Sequence, residues 1–152
     1  MIQSIEGLEF LKLRESCRLK AYKDQAGVWT IGYGTTRYYP MGKIIEGDII
    51  DQNRADSLLM MECDGIGRKI EDLLNVKLKQ CQYDALISFI YNVGMTAFKN
   101  STLRILINQN SEEDKIREQF MRWSKIHRDG ALIVSNGLRF RRKRESDLYF
   151  SC

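Results

Sequence analysis

The spacing of apolar residues changes once along the chain, and this change limits the folds that are possible. Between Leu19 and Tyr39 apolar and polar residues alternate, with glycine or turn-forming breaks, which is typical of short antiparallel strands. After Asp51 the apolar residues recur with a period near 3.6, which predicts amphipathic helices. A first helix precedes the sheet and is expected to end near Glu15 or Ser16. This order of elements predicts an α+β fold.

The helical part of the chain divides into five predicted segments. The first is long and is expected to break or fray around Gly65 and Gly67, because glycine weakens a helix interior. The polar stretch from Ser124 to Gly130 predicts a loop. The other predicted helices cover residues 85–93, which are the most apolar, 101–108, 111–123, and the segment that begins at Asn136 or Gly137.

The length and composition are those of one globular domain. A chain of 152 residues, 43% of them hydrophobic, can close a proper core, and a single proline leaves no room for a proline-rich linker. We therefore predict a single domain over residues 1–152. Within it, residues 16–50 form a small lobe that contains the sheet. Residues 51–152 form a mostly helical lobe, on which the first helix packs.

Basic residues slightly outnumber acidic ones, 24 to 20, which gives a net charge of +4. This excess favours anionic partners, such as nucleic acid, anionic lipid or the carboxylate-bearing polymers of a bacterial envelope. One short basic run is either a solvated helix face or a nucleic-acid-binding patch. Because the chain has no recognisable nucleic-acid recognition motif, we expect no nucleic-acid partner. The run consists of Arg139, Arg141, Arg142, Lys143 and Arg144.

The usage of cysteine and histidine argues against a metal centre. The only histidine is His127, and the cysteines form no Cys-x-x-Cys pair. Zinc-dependent wall amidases and peptidases need several such ligands, so this class is excluded and no metal or cofactor is expected. The cysteines are expected to be free thiols, which favours synthesis in a reducing cytoplasm. They are Cys17, Cys63, Cys81 and Cys152.

No segment is expected to enter a membrane. The first residues carry Glu6 and Glu9 inside their apolar stretch and have no basic lead, unlike a signal peptide. Nowhere do 18 apolar residues follow one another, so no membrane span is predicted.

Two carboxylates stand where the first helix gives way to the sheet. Glu15 lies at this junction and Asp24 lies in the first turn. Glycoside hydrolysis needs two carboxyl groups, one to protonate the leaving oxygen and one to handle water or the developing positive charge. Thr30, on the next strand, could hydrogen-bond a water held by Asp24. The residues alone leave a plainer alternative open, since Asp24 suits a turn and Thr30 suits a strand.

The run ESCRLKAYKDQAGVWTIGYGTT, which begins at Glu15, resembles the catalytic signature of the phage lysozymes, the endolysins of glycoside hydrolase family 24. This resemblance implies a lysozyme-like fold with a cleft between the two lobes. Three later segments are similar to the same family in the same order. They are QYDALISFIYNVG from Gln82, Phe98 with the following 101–103 and Trp123, and GLRFRRKRE from Gly137.

The resemblance implies a muramidase that hydrolyses the β-1,4 bond between N-acetylmuramic acid and N-acetylglucosamine in bacterial peptidoglycan, with inversion. Glu15 takes the place of the catalytic acid, while Asp24 and Thr30 position the attacking water. Arg141 matches an arginine beside the catalytic glutamate. Asn92 matches a residue of the substrate cleft, although it is equally well explained as a polar helix terminus. The resemblance also implies a monomer made in the host cytoplasm, which reaches the wall once a holin-type partner permeabilises the membrane.

The chain departs from the family pattern at two positions. Ser16 stands where the family usually has glycine, and Thr35 stands where it usually has histidine. Neither position belongs to the implied catalytic triad, and the loss of the histidine is expected to affect stability more than activity. The departures keep one alternative open: a catalytically silent relative that binds glycan or serves a structural role.

The last helix is predicted to present its basic run to two different environments. Leu138, Arg141, Glu145 and Leu148 share one face of this helix, and Lys143 lies on the opposite side. We therefore predict that Arg141 points inward to the cleft and that Lys143 points to solvent.

Overall fold

The computed structural model describes residues 1–38 and 42–152 and confirms the α+β class. Seven helices and two small antiparallel sheets are seen in these residues. The helices are α1 (Ile5–Lys12), α2 (Gln52–Leu73), α3 (Gln80–Val93), α4 (Met95–Lys99), α5 (Thr102–Asn108), α6 (Glu113–Arg122) and α7 (Asn136–Tyr149). The strands are β1 (Arg18–Lys23), β2 (Trp29–Gly32), β3 (Lys125–Arg128) and β4 (Ala131–Val134).

The predicted hairpin after α1 is present as β1 and β2. Tyr22 pairs with Thr30 and Lys23 with Trp29, while the register shifts nearer the start of β1. The turn between the strands contains Gly27, whose φ of +78° is a conformation that favours glycine. The predicted end of the sheet at Tyr39 lies outside the described residues.

Most of the hydrophobic core surrounds α3, whose residues 83–90 are all buried. The main core cluster includes Leu11 from α1, Leu59 from α2 and Tyr149 from α7. A smaller cluster lies under the first hairpin and joins it to α2 through Ala21, Ile31, Ile44 and Leu58. Tyr33 belongs to the main cluster and Leu58 to the smaller one, so both clusters join the two parts of the chain. The division into a lobe at residues 16–50 and a helical lobe at residues 51–152, with α1 packed on the latter, stays a proposal.

Close contact between α1 and α3 sets the position of the chain that leads to the sheet. Ser4 caps α1 by accepting a hydrogen bond from the Gly7 N–H, and its hydroxyl donates to Asp84 at 2.6 Å. A Cβ atom at Gly7 would overlap the Asp84 side chain, so glycine permits this approach. The helix ends at Lys12, earlier than predicted, and two turn hydrogen bonds lead from it to Glu15.

Helix α2 runs without a break from Gln52 to Leu73, so the predicted interruption around Gly65 and Gly67 is wrong. A Cβ atom at Gly67 would overlap the Tyr83 hydroxyl of α3. Gly67 is therefore where two helices cross closely, and this packing outweighs the small helix propensity of glycine.

The stretch predicted as a loop from Ser124 to Gly130 instead belongs to a second hairpin, β3–β4. Asp129 and Gly130 form its two-residue turn, with φ values of +51° and +77°. Positive φ at both central residues is the geometry that Asp-Gly favours in a tight hairpin. All four residues of β4 are exposed, which explains why no alternating pattern marked the strand.

The expectation of four free thiols is wrong for two of them. Cys81 of α3 and Cys152 form a disulfide with a Cα–Cα distance of 6.1 Å. Cys17 and Cys63 are free, and burial raises the pKa of the Cys63 thiol. Within the described residues, no helix is both long enough and apolar enough to cross a bilayer.

Candidate active site

Glu15 lies in the turn between α1 and β1, where its side chain meets the last helix. Its Oε1 atom is 2.7 Å from Nη2 of Arg141, and the two side chains are 20% and 10% exposed. The contact is ionic rather than a well-aligned hydrogen bond, because Oε1 is buried and accepts no hydrogen bond from a described residue. Glu15 is thus a partly accessible carboxyl group held against a buried cation.

Arg141 is itself held from two other directions. Its Nε donates to Oε1 of Glu145 at 3.0 Å, and its Nη2 donates to the backbone carbonyl of Ser88 at 3.2 Å. The predicted orientation of α7 is therefore confirmed: Arg141 points inward. Lys143 is exposed and pairs with Asp147 on the surface. A guanidinium fixed by a carboxylate and a carbonyl has little freedom to leave Glu15.

Behind Arg141 lies a second, fully buried ion pair. Nε of Arg142 is 3.2 Å from Oε2 of Glu145, and both side chains have 0% exposure. Burial lowers the pKa of Arg142 to about 10, while the charge of Glu145 opposes this shift. Burial also raises the pKa of Glu145, although Arg142 and Arg141 both favour its ionised form. Glu145 is therefore the carboxylate that two arginines share.

Asn92 joins the same group of side chains. Its Oδ1 accepts a hydrogen bond of 2.6 Å from Nη2 of Arg142, at the end of α3. Asn92 is exposed. Its amide oxygen is bonded to Arg142, and its NH₂ group is open to solvent. Glu15, Arg141, Glu145, Arg142 and Asn92 form one continuous chain of polar contacts.

The sequence analysis did not predict that Arg142, Glu145 and Ser88 take part in these polar contacts. The spacing of the polar residues in α3 could have indicated it. Ser88 and Asn92 interrupt an apolar helix four residues apart, and this spacing places them on one face. Both contact charged side chains of α7, since the Ser88 hydroxyl donates to Glu145 at 2.8 Å. Polar residues on one face of a buried helix therefore indicated a buried polar partner.

Asp24 and Thr30 form a second group, held together by the backbone of Val28. Oδ1 of Asp24 accepts hydrogen bonds from the N–H groups of Ala26 and Val28, at 2.8 and 2.9 Å. The Thr30 hydroxyl donates to the Val28 carbonyl at 3.0 Å. Two backbone donors thus fix the Asp24 carboxylate. Its Oδ2 atom forms no hydrogen bond within residues 1–38 and 42–152, so it can accept one from water.

The two groups occupy opposite ends of β1. Glu15 precedes this strand and Asp24 follows it directly. Thr30 is only 3% exposed, and its hydroxyl hydrogen is donated to the Val28 carbonyl. The roles of these residues in catalysis stay predictions.

Thr35 is also buried, at 1% exposed, and its backbone pairs with Ile31. Its Oγ1 atom has no hydrogen-bond partner among the described residues. The departure from the family histidine thus leaves a small unsatisfied hydroxyl under the first hairpin. No described group of three or more histidine, cysteine or acidic side chains is arranged to hold a metal ion.

Comparison with known proteins gives consistent matches over nearly the whole chain. The endolysin of Acyrthosiphon pisum secondary endosymbiont phage 1 is 38% identical over 148 residues, which cover 97% of each chain. The solved structure of the endolysin from Escherichia coli O157:H7 phage FAHEc1 is 33% identical with a TM-score of 0.87, covering 99% of this chain and 94% of that one. The muramidase domain of SpmX from Asticaccaulis excentricus is 29% identical with a TM-score of 0.87, covering 98% and 97%.

The family model described as phage lysozyme matches residues 12–145. This range contains all five residues singled out from the sequence: Glu15, Asp24, Thr30, Asn92 and Arg141. It also contains the buried pair behind them, so the match extends over both groups of the candidate site. The chain belongs to the phage lysozyme family.

Proposed function

We propose that the protein is a muramidase that hydrolyses the β-1,4 bond between N-acetylmuramic acid and N-acetylglucosamine in bacterial peptidoglycan. The observation that carries this proposal is the placement of Glu15. It is a partly exposed carboxyl group after α1, fixed by the buried Arg141, in a chain of the phage lysozyme family. Glu15 is the acid that protonates the glycosidic oxygen as the bond breaks.

Asp24 and Thr30 position the water that attacks the anomeric carbon. The backbone holds one Asp24 oxygen and leaves the other available, which suits a group that orients water. The Thr30 hydroxyl donates to the Val28 carbonyl, and its oxygen can still accept a hydrogen bond from that water. A water that attacks from the face opposite Glu15 inverts the configuration at the anomeric carbon.

Arg141 and Asn92 support this chemistry from the helical side. Arg141 fixes the Glu15 side chain, and the charge of Glu145 offsets part of the positive charge of Arg141. The electrostatic attraction between Arg141 and Glu15 is therefore weaker than it would be if Arg141 had no other carboxylate partner. Asn92, anchored by Arg142, offers its exposed amide to the glycan strand.

The decisive experiment is Glu15→Gln, which keeps the shape of the side chain but cannot donate the proton. We expect clearing of permeabilised Gram-negative cells to fall by roughly 10² or more, with no loss of fold, because general acid catalysis supplies about 10²–10⁴-fold. Glu6→Gln, at an exposed position of α1, is the matched control and should keep full activity. If Glu15→Gln retained more than about a tenth of the activity, the acid assignment would be lost.

Product analysis separates the muramidase from the silent alternative. New reducing ends at N-acetylmuramic acid identify the bond that is cut, and the first anomer formed in an NMR time course reports inversion. A wild-type protein that binds peptidoglycan and releases no reducing ends is the silent, glycan-binding relative. Asp24→Asn and Thr30→Ala should be severely impaired in the same assay.

We also propose that the protein is a monomer, is synthesised in the host cytoplasm and depends on a holin-type partner to reach the wall. This part rests on the family resemblance. Expression of the protein alone should then leave growing cells intact, and addition of a membrane-permeabilising agent should cause lysis. Rapid lysis without such an agent would show an independent route to the wall.

A further inference from the structure

The hairpin β3–β4 stands apart from the helices around it. Its strands pair with each other, and within the described residues they make only slight contact with the other helices and strands. No third strand pairs with them in this part of the chain, so the hydrogen-bonding edges of both strands are uncovered. A two-stranded hairpin without further packing is at best marginally stable in water. A surface outside the chain would therefore complete this element.

Large aliphatic side chains of the hairpin face water. Ile126 and Ile133 are cross-strand partners and share one face, while Leu132 and Val134 lie on the other face. All four are exposed, Leu132 by 56% and Val134 by 52%. Phe140, near the start of α7, is 61% exposed. Apolar side chains exposed on both faces do not suit a strand that packs on a core, and a group of them is typical of a binding surface.

Unpaired positive charges lie beside these aliphatic side chains. Between residues 125 and 144, Asp129 is the only acidic residue, whereas lysine and arginine are frequent. Lys125 lies directly opposite Val134 on the hairpin, and Arg139 lies in the first turn of α7. Both are exposed, and neither forms an ion pair within residues 1–38 and 42–152. The partner of this surface should therefore be both anionic and apolar.

The side chains of β4 distinguish between anionic partners. This strand, Ala131–Val134, has only alkyl side chains. The hydroxyl and amide groups of a glycan strand would lose water against β4 without gaining side-chain hydrogen bonds, which is unfavourable. A nucleic acid would satisfy the cations and would leave the aliphatic side chains uncovered. A bilayer of anionic phospholipid offers phosphate groups and, directly below them, acyl chains.

We propose that the hairpin β3–β4 and the first turn of α7 bind the surface of an anionic phospholipid bilayer. Leu132 and Val134 enter the boundary between headgroups and acyl chains, and Lys125 and Arg139 lie at the level of the phosphate groups. The protein then lies on the bilayer, in keeping with the finding that no helix of the described residues can cross one. This binding goes beyond the proposed hydrolysis of the wall, and its four residues lie outside both groups of the candidate active site.

The test measures co-sedimentation of the full chain with vesicles that contain phosphatidylglycerol and with vesicles of phosphatidylcholine alone. Leu132→Thr with Val134→Thr is the apolar variant. It removes the aliphatic surface and keeps a high strand propensity, because threonine is β-branched. Ile45→Thr with Ile49→Thr is its matched control, since both isoleucines are exposed and lie outside the hairpin.

A second pair of variants tests the charges. Lys125→Gln with Arg139→Gln is the charge variant, and Arg68→Gln with Lys69→Gln, at two exposed positions of α2, is its control. Melting temperature and the rate of cutting soluble peptidoglycan fragments are measured for every variant. Loss of fold is thereby separated from loss of lipid binding.

The wild type should bind phosphatidylglycerol vesicles at least about tenfold more tightly than phosphatidylcholine vesicles, because each basic residue near an anionic surface contributes about fivefold. The charge variant should lose about tenfold of this binding. The apolar variant should also lose about tenfold, through the lost burial of aliphatic surface. Both controls should stay within about twofold of the wild type, as is usual for surface substitutions. Added salt should weaken binding of the apolar variant further.

A reporter variant shows whether the hairpin itself enters the bilayer. Leu132→Trp adds an indole on the exposed strand β4, and indole rings favour the boundary between water and lipid. With phosphatidylglycerol vesicles, the emission that this variant gains over the wild type should shift to shorter wavelength. Acyl chains that carry bromine should quench it.

Four results would overturn the inference. The first is equal binding of the wild type to both kinds of vesicle, and the second is an equal loss in the variants and their controls, which would indicate a general effect of charge. The third is a matching loss in the cutting of soluble fragments, which would assign the hairpin to glycan binding. The fourth is a wild-type dimer that the apolar variant abolishes, without vesicle binding, which would assign the hairpin to a second copy of the chain.

Discussion

Arg141 and Glu145 are joined by a 3.0 Å hydrogen bond from Nε to Oε1, four residues apart on α7. This bond turns the guanidinium so that its Nη2 atom meets Glu15 on the other side. The position of the proposed acid is thus set from inside the core, by a carboxylate that has no contact with solvent.

The two cations Arg141 and Lys143 should respond differently to removal. Arg141→Ala leaves Glu145 with one partner fewer, and breaking a buried ion pair costs about 3–5 kcal/mol. Its melting temperature and clearing rate should both fall. Lys143→Ala removes only an exposed pair with Asp147, which is worth about 0–1 kcal/mol. Melting curves and clearing rates across a salt series check this, and salt should mask only the Lys143 effect. Equal behaviour of the two variants would mean that the basic run is a solvated face.

Glu145→Gln should destabilise the protein more than any exposed Glu→Gln change. The variant keeps the shape of the side chain but leaves Arg142, which is fully buried, without its counter-charge. We expect a loss of about 3–5 kcal/mol, measured by urea unfolding, and a lower clearing rate while the variant is folded, because Arg141 loses the carboxylate that orients it toward Glu15. Glu113→Gln, which removes an exposed pair with Arg117, is the control. An unchanged clearing rate of folded Glu145→Gln would argue against a link from Glu145 to the acid.

Replacing Cys152 should lower the melting temperature relative to the wild type only when no reductant is present, because only then does the wild type have the disulfide. The bond joins residues 71 apart in sequence, and closing a loop of that length is worth about 4 kcal/mol in the chain-entropy model, often less in practice. Cys152→Ser should therefore melt several degrees below the wild type without reductant. With dithiothreitol present, the two proteins should melt together. A gap that persists in reductant would show that Cys152 contributes packing rather than a cross-link.

Asp56 should contribute stability that disappears in acid. Burial raises its pKa, but hydrogen bonds from Lys12, Gln52 and Tyr33 more than offset this, and the net pKa lies below the ordinary value of 3.8. A carboxyl group with a lowered folded-state pKa stabilises the protein above its unfolded pKa and loses this effect as the pH falls through the folded value. The difference in melting temperature between wild type and Asp56→Asn should thus be constant near neutrality and shrink below about pH 4. Asp72→Asn, at an exposed aspartate of α2, is the control.

The sequence predicted those features that depend on neighbouring residues. Helical periodicity predicted the orientation of α7, because Arg141 and Glu145 lie four residues apart and therefore share one face of the helix. The motif around Glu15 could be recognised from the sequence because its residues lie close together along the chain. The burial of Arg142 could not be predicted, since five cations within six positions are typical of a solvated face. Its hydrogen-bond partner Asn92 lies on α3, 50 residues away.

Two other features needed three-dimensional information. Which cysteines pair depends on the distance between the end of the chain and α3, and sequence spacing does not contain that distance. Continuity of α2 through Gly67 depends on the approach of Tyr83. The second hairpin is different: Asp129-Gly130 is a strong hairpin signal, and the polar composition around it led to the wrong prediction of a loop.

The bond between Cys81 and Cys152 also restricts which part of the molecule can open first. Chain ends usually fray and let a terminal helix peel away from its neighbours. Here Cys152, which follows α7, is bonded to Cys81 of α3, and this bond restrains the C-terminal end of α7. We therefore expect local opening of the helical lobe to start at the other end of α7, where the exposed hairpin β3–β4 leads into it. The ion pairs of Glu145 with Arg141 and Arg142 should remain closed while this hairpin moves.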